Sequence, residues 1–381
     1  MSRSAMVLSA NAVTARGGQG LNLRDMLEAL GGAFDVTLFS RGPASPGAVR
    51  VPPSLLHDAL LRVPLLRRRR DLTTLASDLQ FDRYVALHLP RAQVFQGVVG
   101  QCAESMAEAR RRGMRTVLDV VNTHVDDLGS HVARESRKFG LRSFIHPRMR
   151  DRILREYELA DVIRVMSERS RRTFLARGVP EEKLVVASPP MDLAACPVTR
   201  FDGGPFRISF VGLIDPWKGF HYLLEAFARL KLPDAELVLW GGAGSRAASR
   251  MIAGYQARNP NIVVRPVSVQ REGFERVYGV TSVLVHPSLS DGFSYAVAEA
   301  MGCGVPVIVT DNTGAADLVQ EGESGFIVPV ADVDALAERI AHLYRHRELL
   351  PGLGARAREA VRRLTPEAFR RPLLDRIEGK A

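Results

Sequence analysis

The sequence predicts an α/β protein made of two doubly wound parallel-sheet domains that face each other across a cleft. The chain has 381 residues, enough for two domains of ordinary size. Short apolar segments alternate with helical patterns almost throughout, which predicts parallel sheets covered on both faces. A stretch rich in Pro, Gly and polar residues, 196–207, interrupts this alternation, and a fresh strand follows it.

Each predicted element comes from an apolar run or a helical period. The first-half strands are AMVLSAN, DVTLFSR, YVALHLP, RTVLDVVN, VIRVMS and KLVVASPP. The second-half strands are RISFVGLI, AELVLWGG, NIVVRPV, SVLVHPS, VPVIVT and GFIVPV. Helical patterns lie between most of them, among them NLRDMLEALG, RMRDRILREYELAD, YLLEAFARL, FERVYGV, YAVAEAM and VDALAERIAHLY. We therefore place the domains at 1–200 and 201–363, with a C-terminal helix over 364–381 that packs back toward the first domain.

Composition excludes several classes of protein. The 46% hydrophobic and 25% charged residues are an ordinary globular mix. No apolar run approaches the ~18–20 residues of a membrane span, and the first residues predict a strand rather than a secretory signal. Three cysteines, odd in number and far apart, favour a reducing cytoplasm over a disulfide framework or a zinc site.

The positive charge is concentrated in one half. Of the net +10, all the excess lies in the first 200 residues, which hold 31 Lys and Arg and 21 Asp and Glu. In residues 55–72, leucines lie next to Arg67, Arg68, Arg69 and Arg70, and more basic residues crowd 134–152. Leucine beside clustered arginine is typical of a segment at an anionic membrane surface. A solvated arginine-rich surface is the alternative. Nucleic-acid binding is not expected, because aromatic residues are not interleaved with the basic ones.

The stretch SLSDGFSYAVAEAMGCGVPVIV, residues 288–309, predicts an anion or hydroxyl site. A helix begins near Phe293, after a turn that Gly292 permits. The N–H groups of Phe293, Ser294 and Tyr295 then open the helix, and helix N-termini attract negative charge.

Two acids belong to this stretch. Asp291 lies beside the helix start, and Glu299 lies about two turns inside the helix between two alanines. A buried carboxylate without partners costs several kcal/mol, so Glu299 should have a hydrogen-bonding partner. A structural pair with Lys or Arg, or simple exposure, is the alternative.

Three weaker features also lie at carboxyl ends of predicted strands. Lys218 follows the strand that ends in Gly212, and a lysine there can pair with a phosphate. Glycines at 17, 18 and 20 open the first helix, although their spacing is not that of the dinucleotide fingerprint. His124 follows another strand. A surface loop, a tight turn and a structural histidine are the respective alternatives.

Asp332 and Asp334 match the DxD pattern of metal-dependent sugar transferases. They precede a helix, and acids suit a first helical turn, so we predict capping rather than metal binding.

Together these features resemble the retaining glycosyltransferases of family 4, which have the GT-B fold of two Rossmann-like domains. DGFSYAVAEAMGCGVPVIV is similar to the family's E-x7-E segment, with Asp291 at the first acid and Glu299 at the second. Lys218 matches the lysine of its V-G-R-L…K-G segment, and Gly17, Gly18 and Gly20 match its N-terminal glycine loop. The resemblance covers essentially the whole chain and is strongest over 207–345.

The resemblance implies a role for each residue. Glu299 would accept hydrogen bonds from the ribose of a nucleotide-sugar. Asp291 and the amides from Gly292 to Tyr295 would hold the donor's sugar and phosphates. Lys218, with Gly17, Gly18 and Gly212, would surround the departing diphosphate, and His124 would contact the donor sugar. Neither a cofactor nor a metal is implied, since the nucleotide-sugar is a co-substrate.

The chain departs from the family pattern at three places. Asp291 replaces a glutamate, Leu213 replaces an arginine, and residues 189–192 read PPMD instead of the common N-G-V-D.

We expect a metal-independent hexosyltransferase at the inner face of the membrane, acting on a glycan or lipid-linked acceptor in cell-surface polysaccharide or glycolipid synthesis. A GT-B sugar phosphorylase, a nucleotide-sugar hydrolase and a non-catalytic nucleotide-sugar-binding protein are the alternatives. The pocket for the base is expected around residues 267–273.

Overall fold

The computed structural model describes residues 3–43, 47–64, 66, 69–198, 204–266 and 269–380. The contacts divide the chain into two units. The first comprises Met1–Ser130, Arg142–Pro190 and Pro366–Ala381, and the second comprises His131–Leu141 and Met191–Thr365. The second unit thus begins before the predicted boundary at residue 200, which itself lies outside the described residues.

A parallel sheet of seven strands forms the centre of the first unit, in the order β3-β2-β1-β4-β5-β6-β7. Its strands are β1 Ser4–Ser9, β2 Phe34–Ser40, β3 Ala48–Arg50, β4 Val94–Val98, β5 Arg115–Val120, β6 Val162–Val165 and β7 Leu184–Val186. Every residue of β6 is buried, as expected of a parallel strand covered on both faces. The order of the strands reverses between β1 and β4, and ligands bind beyond the carboxyl ends of strands at such a switch point.

The helices of the first half alternate with these strands. They are α1 Gly17–Leu30, α2 Leu55–Arg62, α3 Arg70–Leu87, α4 Ala103–Arg111, α5 Val125–Lys138, α6 Pro147–Leu159 and α7 Glu168–Leu175. The last helix of the chain, Pro366–Glu378, also packs into the first unit, where Phe369, Leu373 and Ile377 are buried against its core.

The second unit contains a parallel sheet of six strands in the order β10-β9-β8-β11-β12-β13. These are β8 Phe206–Val211, β9 Ala235–Trp240, β10 Ile262–Arg265, β11 Val283–His286, β12 Val307–Thr310 and β13 Gly325–Val328. Its helices are α8 Phe220–Leu230, α9 Arg246–Gln256, α10 Val269–Glu272, α11 Phe274–Val277, α12 Tyr295–Gly302, α13 Val333–Arg345 and α14 Leu350–Ala360, so the final helix Pro366–Glu378 is α15. Five of these strands lie within the predicted segments, and β8 begins one residue before its predicted segment.

One predicted strand is wrong. Residues 84–87 of YVALHLP form the last turn of α3 instead of a strand. Burial in this helix recurs at Phe81, Asp82 and Val85, which is a helical spacing. The segment begins with four consecutive apolar residues, a run too short to distinguish a buried strand from a helical turn by its period. The strand itself comes later, at Val94–Val98, and neither it nor β3 was predicted.

No helix in the described ranges is both long enough and apolar enough to cross a membrane.

Candidate functional site

Lys218 lies in a tightly fixed turn of the second unit, directly after β8. The next residue, Gly219, has φ of 70°, and a Cβ atom there would lie 1.9 Å from the carbonyl oxygen of Pro287. Only glycine therefore lets this turn approach the loop that follows β11. The Leu289 N–H also donates to the Trp217 carbonyl oxygen at 3.0 Å, so the two loops are held side by side.

This packing brings Lys218 against Asp291. Lys218 Nζ lies 2.5 Å from Asp291 Oδ2 and 4.0 Å from the centre of the Trp217 ring. His286 Nε2 lies 3.2 Å from the same carboxylate oxygen. Burial opposes ionisation of Asp291, but Lys218 and His286 outweigh it and hold the pKa of Asp291 below its usual value. Burial also lowers the pKa of His286, so its ring is neutral at pH 7.

Helix α12 begins four residues after Asp291. Ser294 is its N-cap and accepts the N–H of Val297 at 3.3 Å. Gly292, Phe293 and Ser294 are buried, so their amides lie in a setting where water does little to screen the positive end of the helix. The structure therefore brings a lysine, a carboxylate and a helix N-terminus together in the second unit.

Glu299 has the hydrogen-bonding partner that its burial demands. The Tyr278 hydroxyl donates to Glu299 Oε2 at 2.7 Å, and Glu299 is only 7% exposed. Burial, with the neighbouring carboxylate, raises the pKa of Tyr278 well above its usual value, so the hydroxyl keeps its proton and acts as donor. The prediction of a partner is thus confirmed, and the exposed alternative is excluded.

The other predicted residues of the second unit lie near the carboxyl end of β8. Gly212 has φ of 135°, and a Cβ atom there would meet nothing within 4 Å. Leu213, which stands where the family has an arginine, is 41% exposed. In the segment predicted for the base, residues 267 and 268 lie outside the described part of the chain.

In the first unit, α1 begins at Gly17, whose φ of 63° favours glycine. Gly20 is required by packing, because a Cβ atom there would lie 2.2 Å from the Val13 carbonyl oxygen. Gly18 has neither constraint, and a Cβ atom there would meet nothing within 4 Å. The tight-turn alternative therefore accounts for Gly17 and Gly20 but leaves Gly18 unexplained.

His124 is buried beside Tyr157 and Phe174, with ring centres 5.0 and 5.1 Å away. Its Nδ1 accepts the N–H of Asp126 in the first turn of α5 at 3.2 Å. Burial lowers the pKa of His124. A neutral ring that accepts at Nδ1 carries its proton on Nε2. His124 therefore has a structural role at the start of α5, whatever its role toward a ligand.

The predicted arginine cluster is only partly described. Arg67 and Arg68 lie outside the described residues. Arg69 makes two hydrogen bonds to the Asp71 carboxylate, at 2.9 and 2.8 Å, and Arg70 is exposed at the start of α3.

Asp332 and Asp334 behave as helix-capping and surface residues. Asp332 accepts the N–H of Ala335 at 2.9 Å, and Asp334 pairs with Arg229 at 2.8 Å. Within the described ranges, no group of three or more His, Cys, Asp and Glu side chains is placed to hold a metal ion.

Three residues that contact Lys218, Asp291 or Glu299 were not predicted as site residues: Trp217, Tyr278 and His286. His286 ends an apolar strand five positions before Asp291, so the reasoning that singled out His124 would have found it. Trp217 directly precedes Lys218. Nothing in the sequence near Tyr278 indicates that its hydroxyl reaches Glu299, since this contact depends on how α11 and α12 pack.

Comparisons with known proteins relate part of the chain to glycosyltransferases. Residues 196–360 match the model of the family Glycosyl transferases group 1. A relative is the capsular polysaccharide biosynthesis glycosyltransferase of Staphylococcus aureus, 33% identical over 159 residues, which are 41% of this chain and 41% of that protein. The chain spans about half the length or less of the curated relatives that it matches.

Solved structures match over the whole chain. Sucrose-phosphate synthase from Thermosynechococcus elongatus superimposes with a TM-score of 0.77 and 21% identity, covering 100% of both chains. Anabaena HepE in complex with UDP-glucose gives a TM-score of 0.70 and 15% identity, covering 99% of this chain and 100% of that one. The chain therefore has the GT-B fold, and residues 196–360 are similar to the family Glycosyl transferases group 1.

Proposed function

We propose that this protein is a retaining hexosyltransferase that moves a sugar from a nucleotide-sugar to a glycan or lipid-linked acceptor in cell-surface polysaccharide or glycolipid synthesis. The observation that carries the proposal is the Lys218–Asp291 ion pair beside the N-terminus of α12, with Glu299 about one turn inside that helix. The group 1 domain, the capsular polysaccharide relative and the UDP-glucose complex of HepE support it.

The chemistry needs positive charge where the diphosphate departs. Negative charge grows on the leaving oxygen as the bond to the sugar breaks, and preorganised donors stabilise that charge. Lys218 supplies a full charge, and the first amides of α12 supply partial ones. Asp291 and Trp217 hold Lys218 in place before the substrate arrives, so little reorganisation accompanies the reaction.

Glu299 would bind the ribose. An ionised carboxylate accepts hydrogen bonds at both oxygens and suits a pair of neighbouring hydroxyls. Tyr278 donates to Oε2 and thereby fixes the orientation of the carboxylate within α12. In the proposed course of retention, the acceptor hydroxyl attacks the face of the sugar that the diphosphate leaves, and no enzymic nucleophile takes part.

Nucleotide binding and turnover test the proposal. We expect a uridine, guanosine or adenosine diphosphate to raise the free energy of unfolding by about 2.7 kcal/mol at one hundred times its Kd. The matching nucleotide-sugar should release its nucleoside diphosphate when a glycan or lipid acceptor is present, and EDTA should not stop this release. Thermal unfolding and a coupled diphosphate assay measure the two effects.

The outcomes separate the alternatives. Release that is independent of any acceptor would indicate a hydrolase. No release from any nucleotide-sugar, together with phosphate-dependent formation of a sugar 1-phosphate from a glycan, would indicate a phosphorylase. Binding without any turnover would indicate a non-catalytic protein. No stabilisation by any nucleoside diphosphate would contradict the assignment altogether.

We also propose that the first unit binds reversibly to an anionic membrane at the cytoplasmic face. Leu55 and Leu56 at the start of α2 are 85% and 60% exposed, and Leu61 is 44% exposed near its end. These apolar side chains lie in the same segment as the arginine run 67–70. Each basic residue near an anionic surface contributes about 1 kcal/mol. Since Arg69 is paired with Asp71, its contribution to membrane binding should be smaller.

Co-sedimentation with vesicles tests the membrane proposal. Pelleting should require anionic lipid, weaken steeply between low and physiological salt, and fall when arginines 67–70 are changed to serine. Changing Leu55 and Leu56 to serine should weaken it as well. Equal pelleting with neutral vesicles, or none with anionic vesicles at low salt, would rule the proposal out.

A further inference from the structure

A cavity of about 350 Å³ opens in the first unit at the switch point of its sheet. Asn11, directly after β1, and Gln101, shortly after β4, line it, and the order of the strands reverses between these two strands. Side chains from α2, α3, α5 and α6 complete its walls. Its volume is at the lower end of the range of ~300–1,000 Å³ for ligand pockets.

The polar lining is rich in amides and contains one carboxylate. Asn11, Gln19, Gln101 and Asn122 supply the amides, and Asp78 on α3 supplies the carboxylate. Amides and carboxylates together donate to and accept from hydroxyl groups, which need both kinds of partner. The lining also contains apolar side chains and Tyr157, so it offers both polar and apolar contacts to a sugar ring.

One carboxylate oxygen of Asp78 is available for a hydrogen bond to a ligand. It is 6% exposed, and its Oδ1 accepts the Asn11 Nδ2 hydrogen at 2.6 Å. Arg41 Nε donates to Asn11 Oδ1, also at 2.6 Å, which fixes the direction of the amide. Among the described residues, no hydrogen bond reaches Oδ2 of Asp78. This oxygen is therefore open to a ligand hydroxyl in the cavity, which would donate a hydrogen bond to it.

Positive charge is missing from this cavity. None of its described lining residues is a lysine or an arginine. The two guanidinium groups close to Asp78 are already engaged: Arg41 also donates to Gln80 and Pro52, and Arg152 pairs with Asp82. A phosphate would therefore meet a carboxylate instead of the arginine or lysine that phosphate sites use.

We infer that this cavity binds the uncharged, hydroxyl-bearing sugar end of the acceptor, and that Asp78 accepts its hydroxyls and disfavours phosphorylated acceptors. The inference rests on the proposed transferase function and narrows its acceptor to a class. A lipid-linked or longer glycan fits it, provided that the sugar entering the cavity carries no phosphate.

Ligand-detected NMR on the full chain tests this inference. The probes are the methyl α-glycosides of glucose, mannose and galactose, compared with glucose 6-phosphate and mannose 6-phosphate. We expect at least one neutral glycoside to bind, and both phosphates to bind at least tenfold more weakly. Asp78→Asn should raise the dissociation constant of that glycoside about tenfold. It should also reduce the difference in affinity between the glycoside and the two sugar phosphates.

Asp35→Asn is the matched control, because it makes the same change at an exposed position of β2, and it should change nothing. Thermal unfolding with a nucleoside diphosphate, on the same samples, should give the same stabilisation in Asp78→Asn as in the unchanged protein. Lack of nucleotide binding in the unchanged protein would count against the transferase function. Normal nucleotide binding, with no neutral glycoside bound or with phosphates bound equally well, would overturn the acceptor inference.

The pH dependence adds a readout that a purely structural Asp78 would not give. Burial raises the pKa of Asp78 to about 6, so the carboxylate ionises, and accepts hydroxyls fully, as the pH rises through that value. The charged or titratable groups around it are Arg41, His57, Asp82 and Arg152. Glycoside binding should be tighter at pH 7.5 than at pH 5. In Asp78→Asn this difference should vanish, and its persistence would show that Asp78 is not the group whose ionisation controls glycoside binding.

Discussion

Replacing Lys218 with alanine is expected to lower kcat/KM for the nucleotide-sugar by about 10²–10³-fold, the usual effect of removing one preorganised donor from developing negative charge. The substitution removes the full charge that lies 2.5 Å from Asp291 and leaves the helix N-terminus in place. Because the lysine acts mainly as the diphosphate departs, kcat should fall more than the affinity for the donor. Steady-state rates with varied donor concentration measure both.

Among the described residues, the same substitution leaves Asp291 with His286 as its one close side-chain partner, so a buried acid that has lost its counter-ion is a second cause of reduced activity. The double variant Lys218→Ala with Asp291→Asn separates the two causes, since it removes the buried negative charge as well. If the charge of Lys218 acts on the diphosphate, the double variant stays as slow as Lys218→Ala. Recovery of the rate in the double variant would reduce Lys218 to a structural counter-ion, and a normal rate in the single variant would exclude any role.

The strands of the second unit were predictable, whereas one helix of the first was not. Parallel strands such as β12 are buried on both faces and form continuous apolar runs of a length that helices seldom have. Residues 84–87 are the contrasting case. Four residues are too few to tell a period of 2 from a period of 3.6, and only the packing of the whole of α3 decides between them.

Part of the candidate site was also predictable from the sequence, and part of it was not. Lys218 and Asp291 both follow strands of one parallel sheet, so their placement at the same edge follows from topology although they are 73 positions apart. The turn at Gly219 also has a local signal, a Lys-Gly pair before a helix. The contact of Tyr278 with Glu299 has no such signal. From the sequence, a tyrosine after a short helical segment is expected to be an ordinary core residue. Its hydroxyl reaches Glu299 only because α11 lies beside α12.

Changing Glu299 to glutamine is expected to weaken nucleoside diphosphate binding by roughly 1–3 kcal/mol, the scale of hydrogen bonds to a charged group. Glutamine keeps the size of the side chain but offers the ribose one acceptor oxygen and no charge. Calorimetry with the diphosphate that stabilises the unchanged protein gives the change in affinity, and thermal unfolding without ligand checks that the fold survives. Unchanged affinity in a folded variant would remove Glu299 from the donor site.

The ribose itself can be tested by comparing that diphosphate with its 2′,3′-dideoxy analogue. The unchanged protein should prefer the ribose form, and Glu299→Gln should lose most of this preference, because the lost contacts are those to the two hydroxyls. Tyr278→Phe is the matched control, since it removes the 2.7 Å hydrogen bond to Oε2 without touching the ligand. If Tyr278 acts only by orienting Glu299, the double variant binds no more weakly than Glu299→Gln alone. Additive losses would mean that the tyrosine stabilises the donor site by a separate route, and an undiminished ribose preference in Glu299→Gln would show that the carboxylate binds some other part of the donor.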